Sequence, residues 1–130
     1  MDRVFEIAAV RRIYLAVLLL AVVHVLHVLE ESLTDFRLKV PFGEIPLSVF
    51  IIVNTLGFLY VFVTIIAVRK KWKLAVPLAS LYAAVMMLNG LLHLGIAMFQ
   101  GDYFPGATTA PLLLISSGYL IYQLVQSRVK

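Results

Sequence analysis

The sequence places histidine and glutamate side chains, which bind metals and transfer protons, at the end of an apolar segment. His24 and His27 are followed by the adjacent pair Glu30 and Glu31. At 100° per residue in an α-helix, His24, His27 and Glu31 fall within about 60° of one another. Glu30 lies about 60° further round from His27, nearer the rim of this face. One helix face therefore combines imidazoles with a carboxylate.

A second group of polar residues occurs much further along the chain, where Asn89 and His93 are four residues apart. On a helix this spacing puts both side chains on one face, about 40° apart. If this face and the first turn toward each other, two or three imidazoles meet one or two carboxylates. That donor set suits a divalent transition metal, with Zn the first expectation and Fe(II) in a 2-His-1-carboxylate site the second.

The spacing also predicts separate roles for the donors. We expect His27, Glu31 and His93 to be metal ligands, with His24 as a candidate fourth ligand. Glu30, displaced from the cluster, is the candidate general base for a metal-bound water.

Further polar residues are predicted to hold ligands or substrate at the same level. Asn89 is expected to take part in the catalytic site, and Asn54 to orient ligands or substrate. The dipeptide Pro105-Gly106 is expected to form a turn that brings the Thr108 hydroxyl to the pocket.

The composition indicates which kind of protein must position these groups. The chain has 130 residues, of which 62% are hydrophobic and 14% are charged, with a mean hydropathy of +1.00. Soluble domains are about 45–50% apolar and about 25% charged, so an integral membrane protein is predicted. The absence of cysteine excludes thiolate metal sites and disulfides.

Four apolar segments are long enough to cross a hydrocarbon core of about 30 Å. Short connections between such segments predict an all-α fold, an antiparallel bundle of four transmembrane helices forming a single membrane domain. The predicted spans are residues 13–30, 45–68, 74–99 and 105–125.

The basic residues predict the orientation in a cell membrane. The net charge is +4, but the Lys and Arg residues flank apolar segments, which argues against nucleic-acid binding. Only Arg37 and Lys39 lie on the side opposite the other nine, so both termini are expected to be cytoplasmic. The histidines then fall in the outer half of the membrane. The nine are Arg3, Arg11, Arg12, Arg69, Lys70, Lys71, Lys73, Arg128 and Lys130.

Three motifs carry a family resemblance. His27-Val28-Leu29-Glu30-Glu31 reads H-x-x-E-E, Asn89-Gly90-Leu91-Leu92-His93 reads N-x-x-x-H, and the run Tyr103-Phe104-Pro105-Gly106-Ala107-Thr108-Thr109-Ala110 follows. In this order the chain resembles the HXXEE-motif family of small four-span membrane proteins along essentially its whole length. The resemblance implies a membrane-embedded protein of enzymatic character and supplies no substrate. The functional residues that it supports are His27, Glu30, Glu31, Asn89 and His93.

Together these observations favour a metal-dependent membrane hydrolase. Because so small a bundle has no soluble domain to recognise a large polar substrate, a lipid or lipid-linked substrate is expected. Two alternatives remain open: a non-catalytic bundle that binds a lipid or cofactor, and a cation or proton transporter that uses the same residues as a relay. A homo-oligomer is compatible with either.

Overall fold

The computed structural model describes residues 2–128, and the side chains of residues 8–127. Within that range all regular secondary structure is helical, which confirms the all-α prediction. The elements in chain order are α1 (Asp2–Leu33), α2 (Phe36–Lys39), α3 (Leu47–Arg69), α4 (Ala75–Gln100) and α5 (Ala110–Arg128).

The helices end where the backbone leaves the right-handed helical region. Asp35, between α1 and α2, has φ 58, and Pro46, with an extended ψ of 139, precedes α3. Gly101 terminates α4 in the left-handed conformation with φ 67, and its N–H donates to the carbonyl of Ala97. Glycine adopts this conformation without the steric cost that a Cβ atom brings.

Among the residues that the structure describes, three helices are long and apolar enough to cross a membrane, namely α1 from Ala8 to Leu33, α3 and α4. The fourth predicted span remains a prediction. Its helix, α5, begins at Ala110 rather than at residue 105, because residues 105–109 form a turn against α1 and α4. Ser116, Ser117 and Gln123 lower the hydropathy of α5.

The core lies where α5 packs between α1 and α4. Small residues such as Ala16 and Ala83 let the helices approach closely, and Leu113 and Leu120 of α5 fill the space between them. The buried hydroxyl of Ser117 donates to the carbonyl of Leu113, one turn back on its own helix. The serine hydroxyls that lower the hydropathy of α5 are therefore satisfied by carbonyl groups of their own helix.

Helix α3 is the peripheral member of the bundle. Its buried residues, Val61, Thr64, Ala67 and Val68, all lie in its second half. The first half of α3, which continues the unburied stretch that begins at Leu47, diverges from α1 and α4. A cavity lies between α3 and these two helices. That half runs alongside the predicted polar level of α1 and α4.

The predicted orientation rests partly on residues at the ends of the chain. The side chains of Arg3 and Arg128, and Lys130 as a whole, lie outside the described residues. Of the other basic side chains, Arg11, Arg12 and Arg69 are exposed at the same end of the bundle as the loop between α3 and α4.

Candidate metal centre

Two helices bring three of the predicted ligands together. His27 and Glu31 are one turn apart on α1, and His93 lies in the last third of α4; all three side chains are buried. Glu31 Oε1 lies 3.5 Å from His27 Nε2 and 3.2 Å from His93 Nε2. One ligand atom from each residue lies within 4.8 Å of the other two, so the cluster can hold a metal ion.

The hydrogen bonds of His93 fix which ring nitrogen carries its proton. His93 Nδ1 lies 2.6 Å from the carbonyl oxygen of Pro105. A carbonyl can only accept, so Nδ1 must be the donor. In the neutral imidazole, Nε2 then presents a lone pair toward Glu31.

Two successive hydrogen bonds determine in the same way which ring nitrogen of His27 carries the proton. Thr109 Oγ1 lies 2.6 Å from Glu30 Oε2 and 2.7 Å from His27 Nδ1. The hydroxyl has one proton, which it donates to the carboxylate, and so it accepts a hydrogen bond from His27 Nδ1. His27 Nε2 is left with a lone pair, and it has no hydrogen-bond partner within the described part of the chain.

When both imidazoles are neutral, three electron pairs converge from His27 Nε2, His93 Nε2 and Glu31 Oε1. Such groups repel one another unless a cation or an added proton lies between them. In metal sites, a ligating histidine typically donates its second ring N–H to a carbonyl, carboxylate or other acceptor, which orients the ring. Both histidines show this arrangement. Two imidazoles and one carboxylate fit Zn or Fe(II), and three protein ligands leave a position for water or substrate.

The turn before α5 is shaped by a glycine. Gly106 has φ 89, and a Cβ atom there would lie 2.6 Å from His93 Cε1 and 2.8 Å from His27 Cε1. Contacts this short do not occur, so only glycine lets the turn lie against both imidazole rings. The predicted turn at Pro105-Gly106 is present, and it supplies the Pro105 carbonyl that orients His93.

The hydroxyl that reaches the cluster belongs to Thr109 rather than to the predicted Thr108. Thr108 is exposed, and its backbone N–H donates to Glu30 Oε1 at 3.1 Å. The two threonines are adjacent in the turn before α5, where the direction of each side chain depends on the path of an irregular segment. A rule based on residue type and spacing could not choose between them.

Glu30 lies outside the metal cluster. Its carboxylate accepts from the backbone N–H groups of Thr108 and Thr109 and from the Tyr103 hydroxyl at 2.6 Å. The first turn of a helix has free N–H groups and a partial positive charge, both of which favour a carboxylate there. The predicted general base is therefore placed as an anchor between α1 and α5.

Tyr103 is the first residue of the third motif, but the motif does not indicate a role for it. Its role follows from the hydrogen bond that its hydroxyl donates to Glu30. Burial and the hydrogen bond to the Glu30 carboxylate raise the pKa of Tyr103 above its usual value. The phenol consequently stays protonated through neutral pH and remains a donor to Glu30.

His24 has surroundings different from those of the ligand cluster. Its Nδ1 lies 3.3 Å from the Tyr82 hydroxyl, and its ring packs against Phe58 with centroids 5.0 Å apart. His24 is thus a buried histidine with a hydroxyl partner, one turn deeper than His27, and the structure does not place it among the three grouped ligands.

Aromatic rings cover His93. Phe36 of α2 and Phe104 lie with ring centroids 5.2 Å and 5.4 Å from that of His93. Phe104 is almost fully buried. These rings shield one side of the cluster from solvent.

A cavity of about 460 Å³ adjoins the other side. Glu31 lies at its wall, together with both predicted asparagines, Asn54 and Asn89. Asn54 Nδ2 donates to the carbonyl of Phe50 at 2.9 Å, whereas the Asn89 amide forms no hydrogen bond within residues 8–127. The two amides are thus placed where the predicted role requires, beside a space that a ligand can enter.

Comparison with known proteins gives one match. A family described as "Protein of unknown function with HXXEE motif" matches residues 18–121, a range that includes the ligand cluster, the turn and most of α5. The resemblance seen in the motifs is therefore confirmed. No curated protein and no solved structure matches the chain.

Proposed function

The chain belongs to the family of proteins of unknown function with an HXXEE motif, and we propose that it is a metal-dependent integral membrane enzyme. The proposed reaction is hydrolysis of a lipid or lipid-linked substrate in the outer half of the membrane. The observation that carries this proposal is the grouping of three potential ligand atoms within 4.8 Å of one another, with both histidine Nδ1 atoms already engaged.

The residues of the chain supply binding and orientation. His27, Glu31 and His93 hold the metal; the Pro105 carbonyl and the Thr109 hydroxyl keep the imidazoles in place. A divalent metal in this site supplies a Lewis acid that polarises a carbonyl and activates water. Asn54 and Asn89 orient the substrate from the adjoining cavity.

The proposed topology completes the site. Helix α5 has 19 residues, which is about 28 Å of helix and close to the hydrocarbon thickness of about 30 Å. We infer that it is the fourth span, and that both termini are cytoplasmic because the predicted topology assigns nine of the 11 basic residues to that side.

A cation or proton relay is the weaker alternative. Buried hydroxyls in the opposite half of the bundle donate to carbonyls of their own helices, Thr64 to Tyr60 and Ser117 to Leu113. Neither hydroxyl is ionisable, so neither provides the second titrating station that a proton relay needs.

Metal analysis of the detergent-purified protein tests the centre directly. We expect about one equivalent of Zn or Fe by mass spectrometry in the wild type. His27→Ala, His93→Ala and Glu31→Gln should each lose it, while His24→Ala should keep it. A wild type without metal after reconstitution with either ion would overturn the proposal.

Product analysis tests the enzymatic step. Metal-loaded protein is incubated with a membrane lipid extract, and new products are sought by mass spectrometry against Glu31→Gln as control. Hydrolysis products that appear only with the wild type support the enzyme. A metal-loaded wild type without such products would support the non-catalytic binding bundle.

A further inference from the structure

The cavity beside Glu31 continues into a second one deeper in the bundle. The first has a volume of about 460 Å³ and the second about 180 Å³. Four residues line both: His24, Gly57, Val85 and Met86. The two therefore adjoin end to end between α1, α3 and α4, and we call them together the lateral cleft.

The cleft has the length of one membrane leaflet. Along α3 its lining runs from Val49 to Tyr60, and along the antiparallel α4 it runs from Leu92 to Leu81. Each is a separation of eleven residues, or about 16 Å of helix. Half of a hydrocarbon core of about 30 Å is about 15 Å, which is the depth that one lipid chain occupies.

The chemistry of the lining changes along this length. The deep end is bounded by Tyr60, Leu81 and Tyr82, whereas the outer half carries Glu31 and, deeper than it, the Asn89 and Asn54 amides. No Lys or Arg is among the lining residues that the structure describes. The outer half thus suits a neutral polar linkage that can exchange hydrogen bonds with an amide, such as an ester or amide carbonyl.

The cleft opens sideways toward the surface that lipid would cover. Val53 and Leu88, on its two edges, are 61% and 58% exposed. A lipid chain can enter between α3 and α4 without leaving the bilayer. This is possible because the first half of α3 has no buried residue to close the gap.

We propose that the lateral cleft binds a single hydrocarbon chain of a lipid, with its neutral carbonyl linkage at Asn54 and Asn89 and its methyl end at Tyr60 and Leu81. This inference deepens the proposed function, on which it rests for the role of the bound lipid as substrate. The cleft as a binding site stands on its lining alone.

Photolabelling tests where the chain lies. The probes are N-methyl amides of straight-chain fatty acids with a terminal diazirine, one long enough to reach the deep end and one shorter. In the purified protein, the long probe should label the peptides that contain Tyr60 and Leu81, and the short probe should label residues near Gly57. Labelling spread evenly over lipid-facing residues, such as Ile115 of α5, would overturn the proposal.

Gly57→Leu shortens the cleft at the junction of the two cavities. A Cβ atom at Gly57 makes only an ordinary contact, 3.7 Å from His24 Cε1, so the remainder of the leucine side chain projects into the open space. We expect loss of Tyr60 and Leu81 labelling by the long probe, with short-probe labelling retained. Gly95→Leu is the matched control, because a Cβ atom there meets nothing within 4 Å and the residue is not in the lining. Equal long-probe labelling in both variants contradicts the assignment.

Metal content and unfolding temperature are measured on the same samples, which separates the two proposals. Chain labelling that persists in a wild type unable to retain metal would refute the proposed function and keep the cleft. A metal-loaded Gly57→Leu variant of unchanged unfolding temperature and unchanged labelling would refute the cleft and keep the metal centre. Labelling that disappears when the protein dimerises would identify a second copy of the chain as the occupant and overturn the lipid proposal.

Discussion

Glu30 and Glu31 are adjacent in the chain, but their carboxylates have different surroundings. Glu31 lies between the two imidazoles, whereas Glu30 binds the start of α5. We predict that Glu30→Gln keeps the metal but weakens its affinity by about 10–100-fold, the usual effect of losing a partner that orients a ligand. Titration of apo protein with Zn measures this, and loss as complete as in Glu31→Gln would make Glu30 a ligand.

Substitutions at Thr109 test the hydrogen-bonded link between Glu30 and His27 without changing either residue. Thr109→Val removes the hydroxyl that accepts from His27 Nδ1, while the backbone N–H to Glu30 remains. We predict a metal affinity lower by about 10-fold or more, and an affinity near that of the wild type for Thr109→Ser. Titration of the two apo variants with Zn measures this. Equal metal affinities of Thr109→Val and Thr109→Ser would mean that the hydroxyl does not orient His27.

The site residues on regular helices could be predicted from their spacing, whereas those in the turn before α5 could not. His27, Glu31 and His93 follow from spacing within helices and from depth, as does the separation of Glu30 from Glu31 by about 100°. The Pro105 carbonyl and the Thr109 hydroxyl depend on the path of an irregular segment, for which the sequence offers no period. His24 shares the face of His27, but it lies one turn deeper, where Tyr82 is its partner.

At the scale of elements, the turn before α5 joins α5 to both ligand-bearing helices. Gly106→Ala adds the strain of a left-handed alanine, about 1–2 kcal/mol, and overlap with two imidazole rings, typically about 1–3 kcal/mol more. We predict a lower unfolding temperature and loss of metal. Thermal unfolding in detergent and metal analysis measure the two effects.

Gly101→Ala is the control for that substitution. Gly101 is also left-handed, with φ 67, but a Cβ atom there meets nothing within 4 Å. It should show the conformational cost alone and keep its metal. If both variants kept their metal equally, the close approach of the turn to the histidine rings would not matter for the site.

Helix α5 shows why sequence patterns favoured four equivalent spans. Its apolar residues predicted a span, but Leu113 and Leu120 are fully buried against other helices. Helix α3 has the opposite character, with high hydropathy and little burial. Hydropathy alone does not show how much of a helix is buried in the bundle, so the cavity beside α3 could not be predicted.

For the whole molecule, metal binding and folding should be linked. The ligands join α1 to α4, and unfolding separates them, so metal binds the folded state preferentially. At a free metal concentration of about 100 times Kd the gain is about 2.7 kcal/mol. We predict that chelation lowers the unfolding temperature of the wild type but not that of His27→Ala. An unchanged wild-type temperature would show that the cluster does not join the helices through a metal.

The topology of the molecule determines which side of the membrane the site faces. The chain has no cysteine, so single cysteines can be placed in the loops and at the end of α5 and labelled with an impermeant maleimide on intact cells. We predict that Glu44→Cys and Asp102→Cys react from outside, because the basic loop that contains Lys73 holds the other end in the cytoplasm. Lys73→Cys and Ser127→Cys should react only after permeabilisation. Ser127→Cys tests α5 directly, since reaction from outside would mean that this helix does not cross. Reaction of Glu44→Cys only from the cytoplasm would place the metal centre in the inner leaflet instead.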